Sequence, residues 1–104
     1  MFVTSQGSPY ARFRRALKTG NLAIIRLAAA ELPSINLGDA LAVCVAIREA
    51  EPQRFERAAL RWLARFCVET PTATVADVRL AAGAFERMGG DPVGSLEELR
   101  RLCS

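Results

Sequence analysis

The chain has 104 residues, 51% hydrophobic and 24% charged, which suits one folded domain with a modest core and excludes disorder. Fourteen basic residues against eleven acidic leave a net charge of +3, a mild excess that permits a polyanionic partner without implying one. Histidine is absent, which removes the commonest general acid/base near neutral pH and the commonest metal ligand.

In chain order, residues 1–7 read as a loose N-terminal tail, and residues 8–104 as a single all-α domain. Ser8-Pro9 is an N-cap followed by proline at the first helical position, predicting a helix from Pro9 to about Thr19 that stops at Gly20. Asn21 caps a second helix, about Leu22–Leu32, which Pro33 closes. Asn36 with Asp39 predicts the start of a third, about Leu37–Ala50. Pro52 opens a fourth that ends near Thr70, before Pro71. Thr74 with Asp77 caps a fifth, ending at Gly89-Gly90, and either Asp91-Pro92 or Ser95 with Glu98 opens a short sixth. No segment sustains the period-two alternation of a strand. The expected architecture is five or six short helices, as a compact irregular bundle or a short helical-hairpin stack.

The second and third helices are apolar on nearly every side and should be covered by others. The first and fourth each carry a polar face and belong outside. A faint repeat, at offsets of 38 to 40 residues, matches the length of a helical hairpin. Pro33-x-x-Asn36-Leu37-x-Asp39 is echoed by Pro71-x-x-Thr74-Val75-x-Asp77, and Glu51-Pro52 by Asp91-Pro92. Arg12-Phe13-x-Arg15-Ala16 echoes Arg54-Phe55-x-Arg57-Ala58 in a different register, and capping chemistry alone generates such echoes.

The one arranged charge pattern is Arg54, Arg57, Arg61 and Arg65, at spacings that share one face of a helix. Four guanidinium groups on one face can bind phosphates or carboxylates bidentately, with Arg12, Arg14, Arg15 and Lys18 as possible additions. The same face is equally a solvated surface balanced by Glu51 and Glu69. The arginine excess itself, thirteen against Lys18 alone, also fits a GC-rich genome. Trp62 falls with Ala58, Ala59 and Phe66 at core spacing.

Cys44, Cys67 and Cys103 are odd in number and lack metal-binding spacing; the first two lie in apolar helical patterns, as small reduced hydrophobes. The N-terminus lacks a signal-peptide pattern, and the longest apolar run, Ala40–Ile47, is far too short for a membrane span. These features predict a cytoplasmic protein that does not engage a membrane. Neither a Gly-rich phosphate loop nor a nucleophile with a base partner is evident, so no catalytic, cofactor-binding or metal-binding residue is expected.

Thr74-Val75-Ala76-Asp77-Val78, followed by Ala82-Gly83, resembles the first helix and turn of the helix-turn-helix in LacI-type repressors, which implies a recognition helix directly after the glycine. Gly89-Gly90-Asp91-Pro92 departs from that pattern by breaking such a helix early. Over most of its length the chain resembles short all-α proteins of high-GC Gram-positive bacteria. That similarity lies in Ser8-Pro9-Tyr10-Ala11-Arg12-Phe13, Gly20-Asn21-Leu22, Ala30-Glu31-Leu32-Pro33, Glu51-Pro52-x-x-Phe55-Glu56-Arg57-Ala58-Ala59 and Arg61-Trp62-Leu63. It implies a fold and no activity.

The expected role is a non-catalytic helical module binding an acidic protein surface through Arg54, Arg57, Arg61 and Arg65. The alternative is a nucleic-acid-binding accessory protein using the same four arginines.

Overall fold

The computed structural model describes residues 8–104; the expected tail, residues 1–7, lies outside them. The described residues are all-α, without strands. They form α1 (Pro9–Thr19), α2 (Leu22–Ala29), α3 (Leu37–Ala50), a 3-10 turn (Pro52–Arg54), α4 (Phe55–Glu69), α5 (Val75–Arg87) and α6 (Pro92–Cys103). These divide into two compact units, one ending at Phe55 and the other spanning Glu56–Ser104.

The caps are made by the residues the sequence points to. Ser8 Oγ accepts from the Ala11 amide at 2.9 Å, and Gly20 closes α1 at φ 68°, where a side chain would be strained. Asn21 and Asn36 accept from the Ile24 and Asp39 amides at 3.1 and 2.8 Å. Thr74 and Asp77 form a reciprocal capping box, at 3.1 and 3.0 Å. Asp91, not Ser95, starts α6: its Oδ1 accepts from the Gly94 amide at 3.1 Å. A Cβ on residue 94 would lie 2.3 Å from Asp91 Oδ2, so with any other residue there the capping carboxylate would have to shift. Ser95 is buried, and its hydroxyl has no hydrogen-bond partner among the described residues.

Several expectations are corrected. Helix α2 ends at Ala29, short of Leu32, because the Glu31 and Leu32 amides bond three residues back, to Ala28 and Ala29. That tightening precedes Pro33, whose ring disfavours α conformation in the residue before it. Helix α5 runs unbroken through Ala82-Gly83, so the turn of a LacI-type helix-turn-helix is missing. Cys67 is exposed, because it follows Phe66 around α4 and points away from the buried side.

In the first unit Phe13, Ala16, Leu22, Ile25 and Ala46 form a core closed by Val43 and Ile47 of α3 and by Leu32 and Ile35. Each large side chain of this set contributes roughly 1.5–3 kcal/mol. Helix α3 is largely covered, as expected. Helix α2 is not: Leu27 is 75% exposed and Ile24 47% exposed.

The polar tie of this unit is Asp39, buried on the first turn of α3. Its Oδ1 accepts from Arg14 at 2.7 Å and its Oδ2 from the Tyr10 hydroxyl at 3.0 Å, linking α3 to α1. The acid is buried while the Arg14 side chain is half exposed. In the second unit Trp62 stacks on Phe66, with ring centroids 5.5 Å apart, and meets Phe85 of α5 edge-on at the same distance. Arg87 and Glu98, 2.6 Å apart, join α5 to α6.

That asymmetry of burial orders the mutational costs around Asp39. Arg14→Ala strands a buried carboxylate and should cost about 1–3 kcal/mol in urea unfolding. Arg14→Ala with Asp39→Ala leaves no buried charge, so the double variant should be more stable than Arg14→Ala alone. A double variant less stable than that single one would refute the assignment.

Tyr10 offers a second check. Donating to Asp39 holds its phenol above the ordinary tyrosine range, with desolvation and the Asp39 charge acting the same way. Its contribution is therefore complete below the unfolded tyrosine pKa and is lost as pH rises through the folded one. Tyr10 is the chain's one tyrosine, so phenolate absorbance reports it alone. In Asp39→Asn the midpoint should fall back toward about 10.

Candidate interaction site

In the chain, α4 follows directly on a short turn. The Glu51 amide closes α3 on Ile47 at 2.7 Å, and the Arg54 amide returns to the Glu51 carbonyl at 2.8 Å. Pro52, with no amide hydrogen to satisfy, opens the 3-10 turn that feeds directly into α4. Ala59, Trp62 and Phe66 form the buried side of α4. At a helical advance of about 100° per residue, the opposite side is the row Arg57, Leu60, Arg61, Ala64 and Val68. All five are exposed, Val68 at 82%.

The four arginines expected to act together do not form one set. Arg54 belongs to the 3-10 turn, outside the register of α4, and lies 3.5 Å from Glu51. Glu51 is engaged mainly elsewhere: Arg26 of α2 grips both its oxygens, at 3.2 and 3.1 Å. Hydrogen bonding from Arg26 holds the Glu51 carboxyl below the usual range, against partial desolvation. Arg65 makes the expected pair with Glu69, two-pronged at 2.7 and 3.2 Å, and that hydrogen bonding depresses the Glu69 carboxyl.

Arg57 and Arg61 remain. Both are exposed, one turn apart, and neither makes an ion pair among the described residues. Lys18, Arg12, Arg14 and Arg15 stand on α1, where Arg14 is held by Asp39 and Arg12 by Glu31. Trp62, placed by its spacing in the core, is 2% exposed.

A groove the sequence reading did not anticipate lies between α1 and α2, with a volume of about 360 Å³. Its floor is apolar, formed by Ala16, Ile24, Leu27 and Ala28, and the Arg12–Glu31 pair stands at its edge. Its signal was the apolar character of Leu22–Ala29, interrupted only by Arg26. A smaller cavity of about 300 Å³ lies at Cys67, Ala73 and Val75. No helix among the described residues is long and apolar enough to cross a membrane.

No protein-family model matches this chain, and neither curated proteins nor solved structures offer a significant match. The geometry of α4 is thus the ground on which a role is argued. Its outer row combines two uncommitted guanidinium groups with three apolar positions, and it lies opposite the side chains that secure the helix.

The Arg65–Glu69 pair supplies a local test. Because the folded Glu69 carboxyl is depressed, the pair's contribution is present above the unfolded glutamate pKa and is lost as pH falls through the folded one. Carboxyl titration by NMR should show Glu69 rising toward its ordinary value in Arg65→Gln. An unchanged Glu69 would mean that the pair is absent in solution.

Proposed function

We propose that the protein is a non-catalytic interaction module of the cytoplasm that binds an acidic protein surface through the outer face of α4. The observation that carries this reading is the state of Arg57 and Arg61, exposed and unpaired on a helix whose other arginine is satisfied by Glu69. Two like charges at this spacing disfavour the helix by a few tenths of a kcal/mol, about 0.2–0.5. An acidic partner removes that repulsion and adds charge-assisted hydrogen bonds.

A protein partner suits the face better than a nucleic acid. Leu60 and Val68 sit in the same exposed row, and a phosphate backbone offers them no apolar surface to cover. The four-arginine site contracts, in this proposal, to Arg57 and Arg61, with Arg54 and Arg65 as flanking charges.

Arg57→Glu with Arg61→Glu touches no buried side chain, so helicity and unfolding temperature should stay close to wild type. Partners captured from the native host by the wild-type protein, identified and then purified, should lose binding to the double variant. Their affinity should fall as salt rises. Partners retained in full by the charge-reversed protein would sink this reading. A complex with duplex DNA, single strands or RNA at low salt, lost in the same variant, would replace it with the nucleic-acid reading.

A further inference from the structure

The outer row of α4 has a shape as well as a charge. Leu60, Ala64 and Val68 succeed one another at four residues, and Arg57 and Arg61 form a parallel pair one turn apart beside them, the five making a strip about 100° wide opposite Ala59, Trp62 and Phe66. Eleven residues separate its ends, about 16 Å at 1.5 Å per residue, or three turns. Between the larger Leu60 and Val68 sits Ala64, exposed and small. By side-chain size, a small residue between two larger ones on such a ridge makes a depression into which a large apolar side chain of a facing helix can insert. The arginines occupy the N-terminal half of the row and the apolar positions extend to its C-terminal end.

Resting on the acidic-partner reading, we propose that the ligand of this face is an amphipathic α-helix, laid along α4, with two acidic residues one turn apart beside an apolar stripe. Its acids meet Arg57 and Arg61, and its large apolar residue fills the depression over Ala64. The charge pattern selects this occupant over a second copy of the chain. The row carries two cations and no anion, so its own likeness offers nothing to pair with them. The remaining acids of α4 lie off the row, Glu69 held by Arg65 and Glu56 on the flank beside Leu60. An extended acidic segment, whose alternate side chains repeat about every 6.6 Å, could also reach both arginines, and the selection below separates it from a helix.

The test uses the whole protein and a phage-displayed library of helical peptides randomised on one face, selected on wild type and counter-selected on Arg57→Glu with Arg61→Glu. The expected winners carry acids at i and i+4 with apolar residues continuing at three- and four-residue spacing. Ala64→Gln, at an exposed helix position that keeps high helix propensity, should weaken the winning synthetic peptide by about tenfold, as filling a central interface pocket does. Amide shift changes in NMR should centre on Arg57, Leu60, Arg61, Ala64 and Val68. Winners that are acidic without helical spacing, or that ignore Ala64→Gln, overturn the helical ligand and leave the acidic-surface reading standing. No enrichment on wild type over the charge-reversed protein overturns both. Winners rich in the protein's own α4 sequence, with concentration-dependent dimerisation, would install a second copy in place of the proposed partner.

Discussion

The packing of Trp62 against Phe66 and Phe85 fixes which way α4 faces, and the properties of its surface follow from that rotation. An indole has no low-energy place in water comparable to a pocket formed by two other rings, and burying it brings Ala59 and Phe66 to the same side. With that side committed, helical geometry sends Arg57, Leu60, Arg61, Ala64 and Val68 outward. A rotation of one residue around α4 would bury an arginine or expose the tryptophan. Either change costs more than the few tenths of a kcal/mol by which the two arginines repel each other.

Competition among ion pairs then decides which charges stay available. Glu51 stands three residues from Arg54 and, by sequence alone, would be assigned to it. Folding brings Arg26 of α2 to the same carboxylate with both prongs of its guanidinium, leaving Arg54 the more distant cation. The local pair Arg65–Glu69 meets no such competitor and forms as its spacing requires. Arg57 and Arg61 are free for a simple reason: no acid lies three or four residues away on their own row, and no described acid reaches them from elsewhere.

Much of the fold could be read from the chain because helix ends are chemically local. Ser8, Asn21, Asn36, Thr74 and Asp91 bond to amides three residues onward, and no distant residue is needed to place them. What could not be read depends on neighbours remote in sequence. Asn36-x-x-Asp39 and Thr74-x-x-Asp77 look alike, yet Asp77 turns back to its own cap while Asp39 turns inward to Tyr10 and Arg14, 29 and 25 residues away. The same blindness hid the exposed side of α2, since an apolar helix states what it prefers and not how much covering surface exists. It also merged four arginines into one site, because helical spacing continues on paper through a 3-10 turn that shifts the register at Arg54.

Because the outer row of α4 shares no side chain with the buried set behind it, the two can change at different rates. Substitutions at residues 57, 60, 61, 64 and 68 alter what the helix presents without disturbing Trp62 or its ring partners. The outer row can therefore be altered while the scaffold persists. The identity of such a helix resides in its buried side, whatever its surface presents.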